Sequence, residues 1–154
     1  MHMDNHTILT PESAKTYINS IDFSMIIDKI VRTKGWKKRR VLQICELYRH
    51  FLFLKKKYGM DDAALPPSEE IDEFWHNHIL DTKKYRHDCE QIFGFYLDHY
   101  PYLGMDGKTN WNDLRRFFET TQELHFKEFG SYIPDVRFSL SKRLKRFFNL
   151  LISK

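Results

Sequence analysis

Chemically capable side chains are unusually dense in one stretch of this 154-residue chain, EEIDEFWHNHILDTKKYRHDC, residues 69–89. Imidazole, carboxylate and thiol groups are the side chains that bind zinc and iron. A histidine paired with an aspartate near a tyrosine also suits acid–base chemistry. The same residue types are common in the polar seam of a helical core. The residues concerned are Trp75, His76, His78, Asp81, Tyr85, His87 and Cys89.

Helical spacing limits which of these side chains can meet. Successive residues of a helix turn by about 100°, so His76 and His78 point about 200° apart and cannot bind one ion from a continuous helix. His78 shares a face with Asp81, and Asp81 shares one with Tyr85. Cys89 points the same way as His78 but lies about 16 Å further along the axis. These two residues therefore approach each other only if the helix breaks at Asp81.

One interpretation of the stretch is a metal site centred on His78, with zinc or iron as the metal. A zinc site needs three or four ligands, so His78 must recruit others from a distance. The candidate ligands are His78, Asp81, Cys89 and His99, with His50 and His125 as further alternatives.

The competing interpretation is structural. Trp75 and Tyr85 then fill the core, and His78 is a buried imidazole bonded to Asp81 or to a backbone carbonyl. Asp81 caps the next helix, while His76 faces solvent or a partner. No zinc-protease motif, phosphate-binding loop or dinucleotide fingerprint accompanies the stretch. We therefore assign no catalytic residue and expect no cofactor.

The elements that must position these residues are helices. The pattern predicts an all-α fold, a single compact domain of about five to six helices around a central antiparallel helix pair, residues 36–58 and 68–93. A helix over 110–129 packs on that pair, and either Asp81 or Thr82 caps a fresh helix within 68–93. Caps and stops come from Thr10 with Pro11, Gly35, Gly59, Ser68, Asn110 and Gly130.

Apolar periodicity predicts which helix faces are buried. In the second helix the stripe is Ile21, Met25, Ile26 and Ile30, and in the long helix it is Val41, Ile44, Cys45, Tyr48, Phe51, Leu52 and Lys55. Residues 1–35 form an N-terminal helical extension, 36–130 the helical core, and 131–154 a basic amphipathic helix docked on that core.

The net charge of +4 is unevenly distributed. Residues 137–154 contain no acid, and their basic residues are Arg137, Lys142, Arg143, Lys145, Arg146 and Lys154. Without those charges the remaining chain is slightly acidic, so the basic character belongs to this segment and to the cluster WKKRR, residues 36–40. Nucleic acid or an anionic membrane could bind only through these two basic segments.

Four segments resemble the N-terminal domain of the glycine-rich domain-containing protein-like family of plants and bacteria. They are LYRHFLFLKK, LPPSEEIDEFWHNHILDTKKYRHDCEQIFG, HYPYLGM and FFETTQELHFKEFG, within residues 36–130. The family motif falls on Trp75, His76, His78, Asp81, Tyr85, Cys89 and His99. The resemblance implies no established activity for this domain, and it carries over no RNA-binding segment.

Our leading interpretation is a small protein-interaction or adaptor domain without catalysis, which binds an unidentified protein partner. Its surface comprises His76, Asn77, Tyr100, Tyr102 and, on the C-terminal helix, Lys142, Arg143, Lys145 and Arg146. The alternatives are a metal-binding protein or metal-dependent enzyme, and a basic binder of nucleic acid or membrane. We expect a cytoplasmic location, because the chain has no secretory signal or apolar run of about 20 residues. Its two cysteines also lack CxxC spacing.

Overall fold

A computed structural model of the chain describes residues 9–59, 64–103 and 106–134. These ranges contain α-helices joined by turns and loops, and no strand, which confirms the predicted all-α fold. The helices are α1 (Pro11–Ser20), α2 (Ser24–Lys34), α3 (Lys38–Tyr58), α4 (Glu69–Leu80), α5 (Thr82–Phe93) and α6 (Trp111–Phe129).

Local signals start and stop these helices as predicted. The Thr10 side chain accepts a hydrogen bond from the Ser13 amide ahead of α1, and the Ser68 side chain accepts one from Ile71 ahead of α4. Asn110 forms a reciprocal capping box with Asp113 at the start of α6. Helix α2 ends at Gly35, whose φ of 66° lies in the left-handed region that favours glycine.

Helix α3 is the centre of the fold, because α1, α2, α4 and α6 all pack against it. Helix α5 closes the other side by packing on α1 and α4. The side chains of α3 that face its neighbours include Ile44, Tyr48 and Leu52, and those of α4 include Ile71 and Phe74; all are buried. Helices α1 and α2 belong to the same core, to which they contribute Ala14, Ile18, Ile26, Ile27 and Ile30.

The second arm of the predicted helix pair consists of two helices, α4 and α5, in agreement with the restart predicted at Asp81 or Thr82. The chain breaks at Asp81, where φ is −83° and ψ is 70°, and both the end of α4 and the start of α5 lie there. The Asp81 side chain accepts a hydrogen bond from the Lys84 amide at 3.4 Å. Asp81, and not Thr82, is therefore the residue that caps the new helix.

One residue of the predicted stripe in the second helix is wrong. Met25 is 72% exposed, and Ile27 is buried instead. The reason is that α2 begins only at Ser24, and Ile21 belongs to the end of α1. The buried face is therefore set by Ile26, Ile27 and Ile30 and is rotated from the predicted one.

Three further features bear on earlier expectations. Within the described residues no helix is both long and apolar enough to cross a membrane. The predicted C-terminal helix, with Lys142, Arg143, Lys145 and Arg146, lies outside the described residues. Cys45 and Cys89 are both buried as free thiols.

The break at Asp81 gives a test of the local fold. We expect Asp81→Ala to lower the free energy of unfolding by about 1 kcal/mol, because it removes the side-chain acceptor at the start of α5. Thr82→Ala is the matched control and should change the free energy of unfolding by far less. Urea denaturation followed by circular dichroism measures both, and a larger loss in the Thr82 variant would contradict this capping assignment.

Candidate functional site

The imidazole of His78 lies in the interior between three helices. It extends from α4, and only 1% of its surface is exposed. The Tyr48 hydroxyl of α3 lies 2.8 Å from its Nδ1, and Oδ2 of Asp88 on α5 lies 2.9 Å from its Nε2. The prediction that Asp81 is the partner of His78 is wrong, because Asp81 is exposed and caps α5. The break at Asp81 reorients α5, so the spacing along one continuous helix does not apply beyond it.

Hydrogen-bond chemistry fixes the direction of this network. An ionised carboxylate only accepts, so the Nε2–H of His78 donates to Asp88. The Nδ1 of the neutral ring is then an acceptor, and the Tyr48 hydroxyl donates to it. Both ring nitrogens of His78 are therefore engaged by protein groups, and neither is free to meet a substrate.

Asp88 is the acceptor on which this network converges. The Tyr17 hydroxyl donates to its Oδ1 at 2.8 Å, and the Lys84 ammonium lies 3.3 Å from its Oδ2. Burial raises the pKa of Asp88, but the hydrogen bonds from His78 and Tyr17 outweigh burial, so its pKa is lowered overall. Burial lowers the pKa of His78, against the opposing effect of Asp88. The pair is therefore a carboxylate and a neutral imidazole.

A second buried contact chain leads from the interior to the surface. The Trp75 indole N–H donates to the Tyr85 hydroxyl at 2.9 Å, and that hydroxyl donates to the carbonyl of Leu97 at 2.7 Å. Burial raises the pKa of Tyr85 well above its ordinary value, so the hydroxyl keeps its proton. The predicted core positions of Trp75 and Tyr85 are confirmed. Their contact fixes the path of the loop after α5 at Leu97.

The other motif residues are distributed differently from the predicted site. Among the described residues, His78, Asp81, Cys89 and His99 do not form a group that could hold a metal ion. Cys89 is buried, and burial raises the pKa of its thiol. The prediction that Asn77 lies at the surface is wrong. Asn77 is 5% exposed, and its side-chain amide donates to the Glu73 carbonyl at 2.9 Å.

His99 instead joins two residues of α4. Its Nε2 lies 2.8 Å from Oδ1 of Asp72, and Nε2 of His76 lies 3.7 Å from Oδ2 of the same carboxylate. One ligand atom from each of the three lies within 4.8 Å of the others, and all three residues are partly buried. Two imidazoles and a carboxylate at this separation are a donor set that suits zinc or iron(II).

Asp72 is the member of this group that the sequence interpretation missed. It lies four residues before His76, and residues at that separation share one face of a helix. Asp72 lies in the first turn of α4, within reach of His76 one turn further on. The spacing was therefore an available signal for two of the three residues.

The loop after α5 presents a set of exposed aromatic rings. Tyr100 is 56% exposed and Tyr102 is 58% exposed, and Phe95 and Tyr96 of the same loop are also exposed. The rings of Tyr100 and Tyr102 meet edge to face at 5.7 Å, and the Tyr100 hydroxyl donates to Asp106 at 2.8 Å. We call Phe95, Tyr96, Tyr100 and Tyr102 the aromatic loop.

A histidine pair lies apart from the motif, between α3 and α6. The Nδ1–H of His125 donates to the Ser131 carbonyl at 2.5 Å, so its Nε2 accepts from Nδ1–H of His50 at 3.0 Å. The His50 ring also stacks on Phe129 at 3.7 Å. Burial and the neighbouring His125 lower the pKa of His50 from 6.5 to about 4. This pair holds the end of α6 against α3.

The fold and these contacts define an all-α protein with a closed interior His–Asp–Tyr network and a partly exposed His–Asp group above it. The chain belongs to the UCP032817-like family, whose sequence profile matches residues 13–128. Comparison with curated proteins and with solved structures gave no match. The family's description names no activity, and nothing in the match links it to glycine-rich domain-containing proteins. That resemblance stays a prediction.

The interior network gives a stability prediction. We expect Asp88→Asn to lower the free energy of unfolding by about 3 kcal/mol. The amide has one acceptor oxygen instead of two, so some of the buried donors around residue 88 lose their acceptor. Asp81→Asn is the matched control and should be near neutral, since asparagine also caps helices. Tyr17→Phe removes a single donor and should cost about 1 kcal/mol. Equal urea midpoints for the Asp88 and Asp81 variants would contradict the assignment of Asp88 as the partner of His78.

The histidine pair gives a prediction about acid sensitivity. Because the pKa of folded His50 is depressed from 6.5 to about 4, the unfolded chain takes up a proton first as the pH falls. The contribution of His50 to stability is therefore present above pH 6.5 and is lost between pH 6.5 and about 4. We expect the free energy of unfolding of His50→Gln to depend less on pH across this window.

The control for this measurement is His87→Gln, which changes an exposed histidine on α5. Its pH profile should follow that of the unsubstituted chain. Thermal melts or urea titrations at several pH values measure the slope. If the free energy of unfolding of His50→Gln kept the same dependence on pH as the unsubstituted chain, the assignment of a lowered pKa to folded His50 would be contradicted.

Proposed function

We propose that this chain is a small helical protein-interaction domain without catalytic activity, and that the aromatic loop binds its protein partner. The observation that carries the proposal is the exposure of four aromatic side chains within residues 95–102. Tyrosine and phenylalanine are enriched in the buried centres of protein interfaces, because each buries a large area at a small cost in side-chain entropy. Half-exposed His76 lies beside this loop and extends the surface.

The anchoring of the loop supports this proposal. The carbonyl of Leu97 accepts the Tyr85 hydroxyl, and His99 bonds to Asp72, so two points of the loop are attached to the helical core. Phe95 and Tyr96 lie before the first of these anchors, and Tyr100 and Tyr102 lie after the second. A backbone already held in place loses less conformational freedom when a partner binds.

The closed interior favours binding over catalysis. The groups most suited to acid–base chemistry, His78 and Asp88, are buried and satisfied by one another and by tyrosine hydroxyls. A catalytic pair must reach a substrate. We therefore regard this network as the scaffold that supports the surface.

The basic cluster at residues 36–40 supports the nucleic-acid alternative only weakly. Lys38 lies 3.7 Å from Asp28, and the guanidinium of Arg40 lies 3.1 Å from Glu70. Phosphate binding would have to compete with these carboxylates. The buried free thiols of Cys45 and Cys89 fit a reducing compartment, so we propose a cytoplasmic location.

The aromatic loop can be tested with matched surface variants. We expect Tyr100→Ser with Tyr102→Ser to abolish retention of a specific protein from an extract of the source cells, because it removes the apolar contact area. Met25→Ser with Leu42→Ser is the control, since it changes two exposed apolar residues of α2 and α3. The control should retain the same protein, identified by mass spectrometry.

The interaction is then measured with the purified partner. Removing both tyrosine rings should raise the dissociation constant by about 30-fold or more, because each ring lost should cost more than about 1 kcal/mol of binding free energy. Both double variants must show the helical spectrum and melting temperature of the unsubstituted chain. Equal loss in both variants, or loss in neither, would contradict the assignment of the aromatic loop.

A further inference from the structure

We propose that Asp72, His76 and His99 form a binding site for a divalent transition metal, and that the metal is zinc. Neither the interaction proposal nor the family match assigns such a site. It differs from the predicted metal site in two ways: Asp72 replaces Asp81 and Cys89, and His76 replaces His78. Only His99 belongs to both.

Two of the three ligands come from one face of α4. Asp72 and His76 are four residues apart, a separation that places both side chains on the same side of a helix. His76 and His78 diverge by about 200°, so α4 directs one imidazole outward and the other into the core. His99 is supplied by the loop after α5, 27 residues from Asp72 along the chain. Helix and loop together therefore provide three donors that converge.

The distances are close to those of a zinc site. Zinc–nitrogen and zinc–oxygen bonds near 2.0–2.1 Å place the ligand atoms of a tetrahedron about 3.3 Å apart. Here the His99 Nε2 to Asp72 Oδ1 distance is 2.8 Å, and the His76 Nε2 to Asp72 Oδ2 distance is 3.7 Å. Side-chain shifts of roughly 1 Å would bring the three donors around one ion. On binding, the metal takes the place of the proton on Nε2 of His99; that proton passes to solvent and the ring remains neutral with a proton on Nδ1.

The surroundings hold His99 in this position. Its ring lies 4.4 Å from that of Trp75 and 4.6 Å from that of His76, measured between centroids. Trp75 is itself buried and bonded to Tyr85, which also holds the loop at Leu97. Contacts of this kind around a ligand keep its ring oriented toward the metal.

The exposure of the group matches an open site. The His76 side chain is 38% exposed, so an ion can enter from solvent. Three protein ligands leave the fourth tetrahedral position for water, as in zinc sites that are not purely structural. Two neutral imidazoles and one carboxylate give a net ligand charge of −1 against the charge of the ion.

The experiment is isothermal titration of Zn²⁺ into the full, untagged chain after removal of metal with a chelator. We expect about one equivalent to bind. His76→Ala and His99→Ala should each weaken binding more than about 100-fold, since loss of a residue outside the ligand sphere already costs 10- to 100-fold. Asp72→Asn should also weaken zinc binding, because it replaces a negatively charged carboxylate ligand with an uncharged amide oxygen.

Two controls separate this site from other histidines. His87→Ala changes an exposed histidine on α5 and should bind zinc like the unsubstituted chain. His2→Ala with His6→Ala removes two N-terminal imidazoles that lie outside the described residues, and it should retain the tight equivalent. Loss of binding in this double variant alone would place the metal at the N-terminus and overturn the proposal.

A second readout guards against misfolded variants. Zinc should raise the melting temperature of the unsubstituted chain and not that of His99→Ala, because ligand binding stabilises only a fold that contains the site. In chelator His99→Ala should melt somewhat lower than the unsubstituted chain, because it lacks the hydrogen bond to Asp72, and adding zinc should leave that lower melting temperature unchanged. The proposal would be overturned if the unsubstituted chain bound no stoichiometric zinc, or if the His76 and His99 variants bound zinc as tightly as the unsubstituted chain does.

Discussion

The carboxylate of Asp88 is the constraint on which the rest of this structure depends. A buried carboxylate is tolerated only if donors surround it. Here the donors come from three helices: Tyr17 of α1, His78 of α4 and Lys84 of α5 itself. Tyr48 of α3 completes the network by donating to His78. The demand for donors thus fixes the relative positions of α1, α3, α4 and α5 more narrowly than apolar packing alone, which tolerates many alternatives.

The parts of the fold that the sequence predicts are those set by local chemistry. The residues Thr10, Ser68 and Asn110 predict where helices start, because the side-chain oxygen of each accepts a hydrogen bond from a first-turn backbone amide that would otherwise be unpaired. The stripe of α3 is also predicted from Val41 to Leu52, because an uninterrupted helix keeps its period, although Lys56 is buried at its end where the pattern predicts Lys55. The stripe of α2 was not, because its register depends on where α1 ends, and Met25 was consequently placed inside.

The partner of His78 and the approach of His99 to Asp72 could not be predicted, and the physical reason is the same for both. Helical spacing relates residues only while the helix continues, and the break at Asp81 separates His78 from Asp88. Once α5 turns back, a residue ten positions on meets His78 more closely than the one three positions on. His99 reaches Asp72 only because the loop after α5 folds back along α4, a path that depends on a buried hydroxyl of Tyr85.

Helix α4 connects the interior to the surface because its two histidines, both in its C-terminal half, point in different directions. His78 is committed to the core, and its neighbours there fix α5 and hence the start of the loop. His76 faces outward beside His99, whose ring is held by the buried Trp75. The position of His99, and with it the aromatic loop, is therefore set from inside the protein. A substitution in the buried network should therefore shift His99 and the aromatic loop. A substitution at Tyr100 or Tyr102 should leave the core intact, because those rings contribute nothing to it.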